Sequence, residues 1–232
     1  MTKIGLIGGV GPESSIEYYR LIIKRFQERL NTKDYPEIII NSINMTEMLS
    51  YVFNNQLDKL VDLLTNKIKI LEKAGVEYGA IASNTPHIVF ERLIDNVKIP
   101  LISIVEETCK IIAHKKMKRV GLLGTKSTMT HGFYNRVAEK YEIEIVIPDP
   151  DKQDFIHNKY MTELVFNNIL PETKQQLIQI VRELERKESI EGLILGGTEL
   201  PLILNQSDFG EIQILDTTKI HVESIVTKMI EK

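Results

Sequence analysis

The 232-residue chain has little cysteine and no long apolar run, and each absence excludes a class of protein. A single cysteine, Cys109, excludes an intrachain disulfide and a metal site built from several thiolates. The longest apolar stretches are only as long as a strand, so the sequence predicts no membrane-spanning helix. The first residues lead directly into a strand pattern, without the apolar segment of a secretory signal. We therefore expect a cytoplasmic protein that does not act at a membrane.

An excess of charge of either sign is also missing. The chain has 29 basic and 32 acidic residues, a net charge of -3, and is 43% hydrophobic, which is typical of a folded globular protein. This balance argues against nucleic acid as a partner. The one basic cluster, residues 115–119, lies between a predicted helix and strand, and we interpret it as a solvated turn. The five histidines lack the spacing of metal ligands, so we expect no metal.

Strand patterns alternate with helix patterns along the whole chain, which predicts parallel sheets covered by helices on both faces. The apolar residues from Leu57 to Leu71 recur at helical spacing, and Gly75 is placed to end that helix. Strands are expected near residues 3–7, 37–44, 76–83, 99–103, 119–124, 142–147, 192–196 and 212–215. The other helices are expected near residues 13–30, 85–95, 105–114, 130–140, 153–168, 172–187 and 217–231.

The two halves of the chain resemble each other. The stretch KIGLIGG at residues 3–9 is similar to RVGLLGT at residues 119–125, and residues 83–85 correspond to residues 197–199. Each pair lies about half the chain apart. Two similar α/β domains that face each other would place both sets of strand ends on one cleft, where ligands of such sheets bind.

The turn Gly8-Gly9-Val10-Gly11-Pro12 has three interpretations. A dinucleotide site is disfavoured, because the third glycine of its motif is missing and Glu13 would oppose a pyrophosphate at the helix start. An ordinary strand-to-helix turn is the second interpretation. The third is a turn whose backbone N–H groups bind a small carboxylate, which Gly8 and Gly9 would allow to approach closely.

Three further motifs combine glycine, hydroxyl and amide residues at predicted strand ends. In Ser83-Asn84-Thr85-Pro86-His87, Asn84 and Thr85 could cradle a carboxylate or could cap the next helix. In Gly124-Thr125-Lys126-Ser127-Thr128, the two threonine hydroxyls could face a ligand or form an N-cap. In Gly196-Gly197-Thr198-Glu199, Glu199 could be a capping acid or an acid of the cleft.

In these motifs the sequence resembles the aspartate/glutamate racemase family of cofactor-independent racemases. That family carries a Gly-Gly turn after its first strand, a C-N-T-x-H-like motif after the third, G-T-x-x-T at the start of the second half, and G-C-T-E late in the chain. The four motifs above match these in order, and so do Asp216-Thr217 and His221. The resemblance covers nearly the whole chain.

The resemblance implies an α/β fold of two similar domains with mainly parallel sheets flanked by helices, pseudo-twofold related, with an active-site cleft between them. It places the closing helix on the first domain, which gives residues 1–98 plus 210–232 and residues 99–209. It implies no cofactor, a homodimer, and a small acidic amino acid or dicarboxylate as the ligand. The reaction would be proton exchange at the α-carbon, with proton donors surrounding the substrate carboxylate. Those donors would be Gly8, Gly9, Asn84, Thr85, Thr125, Thr128 and Thr198.

The chain departs from the family at both positions of the catalytic thiols. Ser83 stands at the first and Gly197 at the second, and Cys109 matches neither. Glu199, or a water beside Gly197, could replace the second thiol. Some members carry an arginine near position 47 and a lysine near position 166, where this chain has Glu47 and Phe166.

Three functions therefore stay open. The first is a racemase-like enzyme with an altered or lost catalytic pair. The second is a non-catalytic binding protein for a small dicarboxylate or amino acid. The third is an isomerase or decarboxylase of the same superfamily with changed acid/base groups.

Overall fold

The computed structural model describes residues 1–231, with Pro12 described by its backbone alone. The chain divides into two compact units, Met1–Glu107 with Thr218–Lys232 and Thr108–Thr217. Each unit holds a four-stranded parallel sheet with flanking helices, which confirms the predicted α/β class. Within residues 1–231, no helix combines the length and apolarity that crossing a bilayer requires.

The strands and helices are numbered in chain order. The strands are β1 (Ile4–Gly8), β2 (Ile38–Ser42), β3 (Tyr78–Ile81), β4 (Leu101–Ile102), β5 (Arg119–Gly124), β6 (Glu144–Val146), β7 (Gly192–Gly196) and β8 (Gln213–Asp216). The helices are α1 (Pro12–Leu30), α2 (Met45–Phe53), α3 (Leu57–Lys73), α4 (Phe90–Ile94), α5 (Ile104–His114), α6 (Lys126–Thr130), α7 (Phe133–Glu139), α8 (Pro150–Thr162), α9 (Pro171–Glu188) and α10 (Thr217–Ile230).

The first sheet has the order β2-β1-β3-β4, and its two faces are covered by different helices. Successive side chains of a strand point to opposite faces. Ile4 and Leu6 of β1 therefore pack in the core that contains Tyr18 of α1 and Val222 of α10. Ile7 packs in the core formed with α2 and α3 on the other face. α10, the last helix of the chain, thus belongs to the first unit.

The second sheet has the order β6-β5-β7-β8, which repeats the order of the first, strand for strand. Leu123 of β5 and Leu195 of β7 share a core with Ile156 of α8 and Leu177 of α9. The internal resemblance between the two halves of the sequence is therefore a repeat of one supersecondary plan.

The unit boundaries differ from the expected ones, residues 1–98 plus 210–232 and residues 99–209. β4 pairs with β3, so it completes the first sheet, and β8 pairs with β7, so it completes the second. The chain passes from one unit to the other within α5 and at the start of α10. Both shifts have one physical reason: a short strand belongs to the sheet whose backbone groups it satisfies.

Most predicted elements are confirmed, with local differences. The helix expected near residues 85–95 is a 3-10 helix, Thr85–Val89, followed by α4. Gly75 follows α3 with φ +80, as a residue that ends a helix in the left-handed region. α2 was not predicted; it begins after Asn44, whose side chain accepts from the N–H groups of Thr46 and Glu47. The helix expected near residues 130–140 corresponds to α7. A further helix, α6, precedes it, and the chain turns between them at Gly132 with φ +69.

Candidate active site

In each unit, two polar loops lie side by side at the carboxyl ends of the sheet. β1 pairs with β2 on one side and β3 on the other, so the strand order reverses between β1 and β3, and it reverses equally between β5 and β7. Ligands of open parallel sheets bind outside the strand ends at such a switch point. The glycine turn and residues 83–87 meet at this edge of the first unit. Residues 125–128 and 197–199 meet at the same edge of the second.

The turn after β1 requires glycine for its backbone. Gly9 has φ +81, and a Cβ on it would lie 2.4 Å from the carbonyl oxygen of Ile43. The Gly9 N–H donates to Ser15 Oγ at 2.8 Å, and the Gly8 carbonyl accepts from the Ile43 N–H at 2.9 Å. Hydrogen bonds to Ile43 and to Ser15, in the first turns of α1, therefore stabilise this turn.

The loop after β3 buries a row of polar side chains. Ser83, Asn84, Thr85 and His87 are all less than 9% exposed. Asn84 occupies the N-cap position of a short 3-10 helix, Thr85–Val89, but its side chain makes no capping hydrogen bond. The Asn84 side chain therefore does not act as a helix cap, and its part in a carboxylate cradle stays a prediction.

Two buried histidines support this edge of the first unit. The His221 Nε2–H donates to the Ile102 carbonyl at 2.9 Å, so Nδ1 accepts from the Tyr18 hydroxyl, also at 2.9 Å. Burial lowers the pKa of His221 to about 4. His87 stacks on Phe90, and burial together with His221 lowers the pKa of His87 to about 3. Both imidazoles are therefore neutral at ordinary pH. His221 joins α10 to β4 and α1, and His87 Nε2 accepts from the Ile104 N–H of α5 at 3.4 Å.

The loop after β5 is a helix cap. Thr125 is the N-cap of α6, and its Oγ1 accepts from the Thr128 N–H at 3.2 Å. The two threonine hydroxyl oxygens lie 3.0 Å apart. The Thr128 methyl packs on Gly124 and Gly196, where any Cβ would crowd it. These two glycines let α6 sit directly over the ends of β5 and β7.

The loop after β7 contains a buried carboxylate and a residue that the sequence did not reveal. Glu199 is 3% exposed, and its Oε2 accepts from the Thr198 hydroxyl at 2.8 Å and from the Tyr160 hydroxyl. Tyr160 comes from α8 and is 6% exposed. A Cβ on Gly197 would lie 2.4 Å from Cε2 of the Tyr160 ring and 2.9 Å from its hydroxyl oxygen. The ring of Tyr160 therefore occupies the space that a side chain at position 197 would take.

Comparison with known proteins identifies the family to which this chain belongs. The model of the Asp/Glu/Hydantoin racemase family matches residues 7–225. This protein belongs to that family. It is 26% identical to the broad-specificity amino-acid racemase RacX of Bacillus subtilis, over 97% of this chain and 96% of RacX.

Solved structures agree with the family assignment. An aspartate racemase homologue from Pyrococcus horikoshii, PH1733, is 35% identical with a TM-score of 0.87, and all of both chains is covered. A Yersinia pestis protein provisionally assigned as an Asp/Glu racemase is 30% identical with a TM-score of 0.91, again over all of both chains. The two-sheet architecture is thus that of the family.

The side chains at the positions where this racemase-family member departs from the expected motifs have defined places. Glu47 lies in the first turn of α2 and accepts from the Tyr51 hydroxyl at 2.9 Å. Phe166 is 74% exposed. Cys109 lies on α5, as predicted, and is fully buried.

The predicted site residues separate into two groups. Gly8, Gly9, Ser83, Asn84 and Thr85 lie at the switch point of the first sheet. The second sheet carries the others at its own switch point: Thr125, Thr128, Gly197, Thr198 and Glu199. That one cleft holds both groups stays a prediction.

Sequence reasoning missed Tyr160. Gly197 stands where the family motif that the sequence resembles has a cysteine, which was the one local signal that another group could fill this space. Nothing in the local sequence says that this group comes from α8.

Proposed function

We propose that this protein catalyses cofactor-independent proton exchange at the α-carbon of a small acidic amino acid. The observation that supports this best is the pair of polar strand ends, each at the switch point of its sheet and each with buried hydroxyl groups. Membership of the racemase family and similarity to RacX along nearly the whole chain support the same reaction class.

The reaction sets two demands on the protein. The α-proton is weakly acidic, so the substrate carboxylate must be surrounded by donors as it becomes enediolate-like. We assign that role to the Asn84 amide and to the hydroxyls of Thr85, Thr125 and Thr128, which are all buried. Inversion also needs one proton-transfer group for each face of the α-carbon. Ser83 is the candidate for one face, and the loop after β7 supplies the other.

The test is α-proton exchange in deuterated water. L- and D-aspartate and L- and D-glutamate are each incubated with the protein, the loss of the α-proton is followed by NMR, and inversion by chiral chromatography. We expect exchange and inversion of at least one of the two amino acids without any added cofactor. Asn84→Ala is the matched variant and should lower the rate. Absence of exchange with all four substrates would contradict the proposal.

A second candidate, a binding protein without catalysis, is favoured by the two substitutions at the thiol positions. A serine hydroxyl is a much weaker acid than a thiol, and Gly197 has no group that can carry a proton. Calorimetry with the same four amino acids and with a simple dicarboxylate such as succinate separates the two functions. Tight binding without any α-proton exchange supports the binding protein.

A further inference from the structure

The loop after β7 holds a compact cluster of three oxygen-bearing side chains, which we name the β7 cluster: Tyr160, Thr198 and Glu199. The Tyr160 and Thr198 hydroxyls both donate to Oε2 of Glu199. Tyr160 and Glu199 are buried and Thr198 is partly exposed. The cluster thus holds a carboxylate that can accept a proton and a phenol that already shares one with it.

The phenol of Tyr160 lies beside Gly197. Its hydroxyl oxygen would lie 2.9 Å from a Cβ built on Gly197, in the space that a side chain at this position would enter. In the resemblance drawn from the sequence motifs, position 197 corresponds to the second thiol of the family motif. The glycine and the tyrosine are therefore a matched pair, because neither a cysteine nor an alanine at 197 fits beside this ring.

We propose that Tyr160 is the proton-transfer group for one face of the substrate and that Glu199 is the acceptor of its proton. The proposal rests on the proposed function. As the α-carbon loses its proton to the Tyr160 oxygen, the phenol proton passes to the Glu199 carboxylate. The electron pair of the broken C–H bond stays on the substrate and is delocalised into its carboxylate. The reverse transfers return a proton to the carbon, so that atoms and charge balance without a further reactant.

The electrostatics of the β7 cluster suit a relay of this kind. Burial, together with the charge of Glu199, raises the pKa of Tyr160 well above its usual value. The phenol therefore keeps its proton at rest, hydrogen-bonded to the Glu199 carboxylate. Tyr160 then carries protons without ever being a stable phenolate. The Thr198 hydroxyl orients the same carboxylate oxygen, which makes Thr198 a positioning residue.

The test compares the two enantiomers of the substrate. Tyr160→Phe keeps the ring over Gly197 and removes only the hydroxyl. We expect inversion to fall at least 100-fold, since a general acid–base group contributes about 10²–10⁴-fold. For one enantiomer α-proton exchange should fall equally. For the other it should continue with retention of configuration, because its proton is removed from the opposite face. Glu199→Gln should affect the same enantiomer.

Tyr134→Phe is the control, since Tyr134 is a fully buried tyrosine on α7 of the same unit. It should leave the exchange of both enantiomers within about threefold of the parent. Thermal unfolding confirms that each variant is folded. If Tyr160→Phe does not fold, Glu199→Gln carries the same comparison. Partial recovery in Glu199→Asp would further identify the carboxylate as the proton acceptor.

Three results would overturn the relay, and they are distinguishable. Unchanged exchange of both enantiomers in folded Tyr160→Phe would overturn the relay and leave the racemase function intact. Equal loss for both enantiomers would assign Tyr160 a purely structural role. Absence of exchange in the parent protein would remove the proposed function and the relay together.

Discussion

The two units share one strand order but fill equivalent loops in different ways. After β3 the chain keeps a hydroxyl at Ser83, with buried amide, hydroxyl and imidazole groups around it. After β7 it has a glycine, and Tyr160 from α8 supplies the bulk and the polar group. The first loop is thus built from its own sequence, whereas the second is completed by a distant helix. Repetition of a fold therefore does not imply repetition of the chemistry at its loops.

The largest expected effect concerns stability at low pH, to which the first unit contributes two buried histidines. His87 and His221 belong to the first unit, and their pKa values lie at about 3 and about 4 instead of 6.5. Between pH 6.5 and 4 the unfolded chain binds protons that the folded chain does not. Stability therefore falls as the pH falls, by about 1.4 kcal/mol per pH unit for each histidine.

Urea unfolding at pH 7, 6, 5 and 4 measures this slope. His221→Gln should make the slope shallower, because one of the two protonations is removed. His114→Gln, at an exposed position, is the matched control. An identical slope in His221→Gln and the parent would show that His221 does not govern acid unfolding.

Replacing a glycine by alanine should lower stability by different amounts in the two units. Gly9→Ala meets both a positive φ and a backbone oxygen at 2.4 Å, so it should lower stability by roughly 3 kcal/mol or more. Gly197→Ala meets the side chain of Tyr160 and should cost about 1–3 kcal/mol. Gly75→Ala, with φ +80 and open space, isolates the backbone strain at about 1–2 kcal/mol.

A double-mutant cycle tests whether Gly197 and Tyr160 are a matched pair. In the Tyr160→Ser background, Gly197→Ala should cost at least about 1 kcal/mol less than in the parent, because the ring is gone. Chemical denaturation of the four proteins gives the coupling. For the same reason a thiol restored at position 197 needs a smaller residue at position 160. Additive costs would show that the two residues do not share this space.

A smaller effect distinguishes the two threonines that follow β3 and β7. Thr85→Ala removes a hydroxyl that we assign to the substrate carboxylate, so amino-acid affinity should fall about 10- to 150-fold. The Thr198 hydroxyl donates to Glu199, so Thr198→Ala should act on exchange more than on affinity. Calorimetry gives the affinity, and exchange in deuterated water gives the rate. A loss of affinity in Thr198→Ala as large as in Thr85→Ala would contradict this division of roles.

The smallest expected effect concerns the cap at the start of α6. Thr125→Ala removes the acceptor of the Thr128 N–H and should lower stability by about 1 kcal/mol. Thr125→Ser keeps the acceptor and should retain most of the stability. If the two variants unfold at the same denaturant concentration, the hydroxyl of Thr125 does not stabilise α6.

Local sequence patterns determined the secondary structure, the repeat and the motifs. The apolar stripe from Leu57 to Leu71 and Gly75 were enough to predict α3 and its end, because helix periodicity involves residues only three or four positions apart. The similarity of residues 3–9 and 119–125 predicted two equivalent sheets, and both have the same strand order.

Only the tertiary structure decided which sheet β4 and β8 join and which side chain fills the space beside Gly197. Tyr160 and Gly197 are separated in the chain by the whole of α9, and they meet because α8 packs on the second sheet. Contacts of that kind depend on how buried surfaces fit together, and a close-packed interior fixes them collectively. The sequence motif therefore pointed to position 197, and the packing of α8 determined which side chain fills the space beside it.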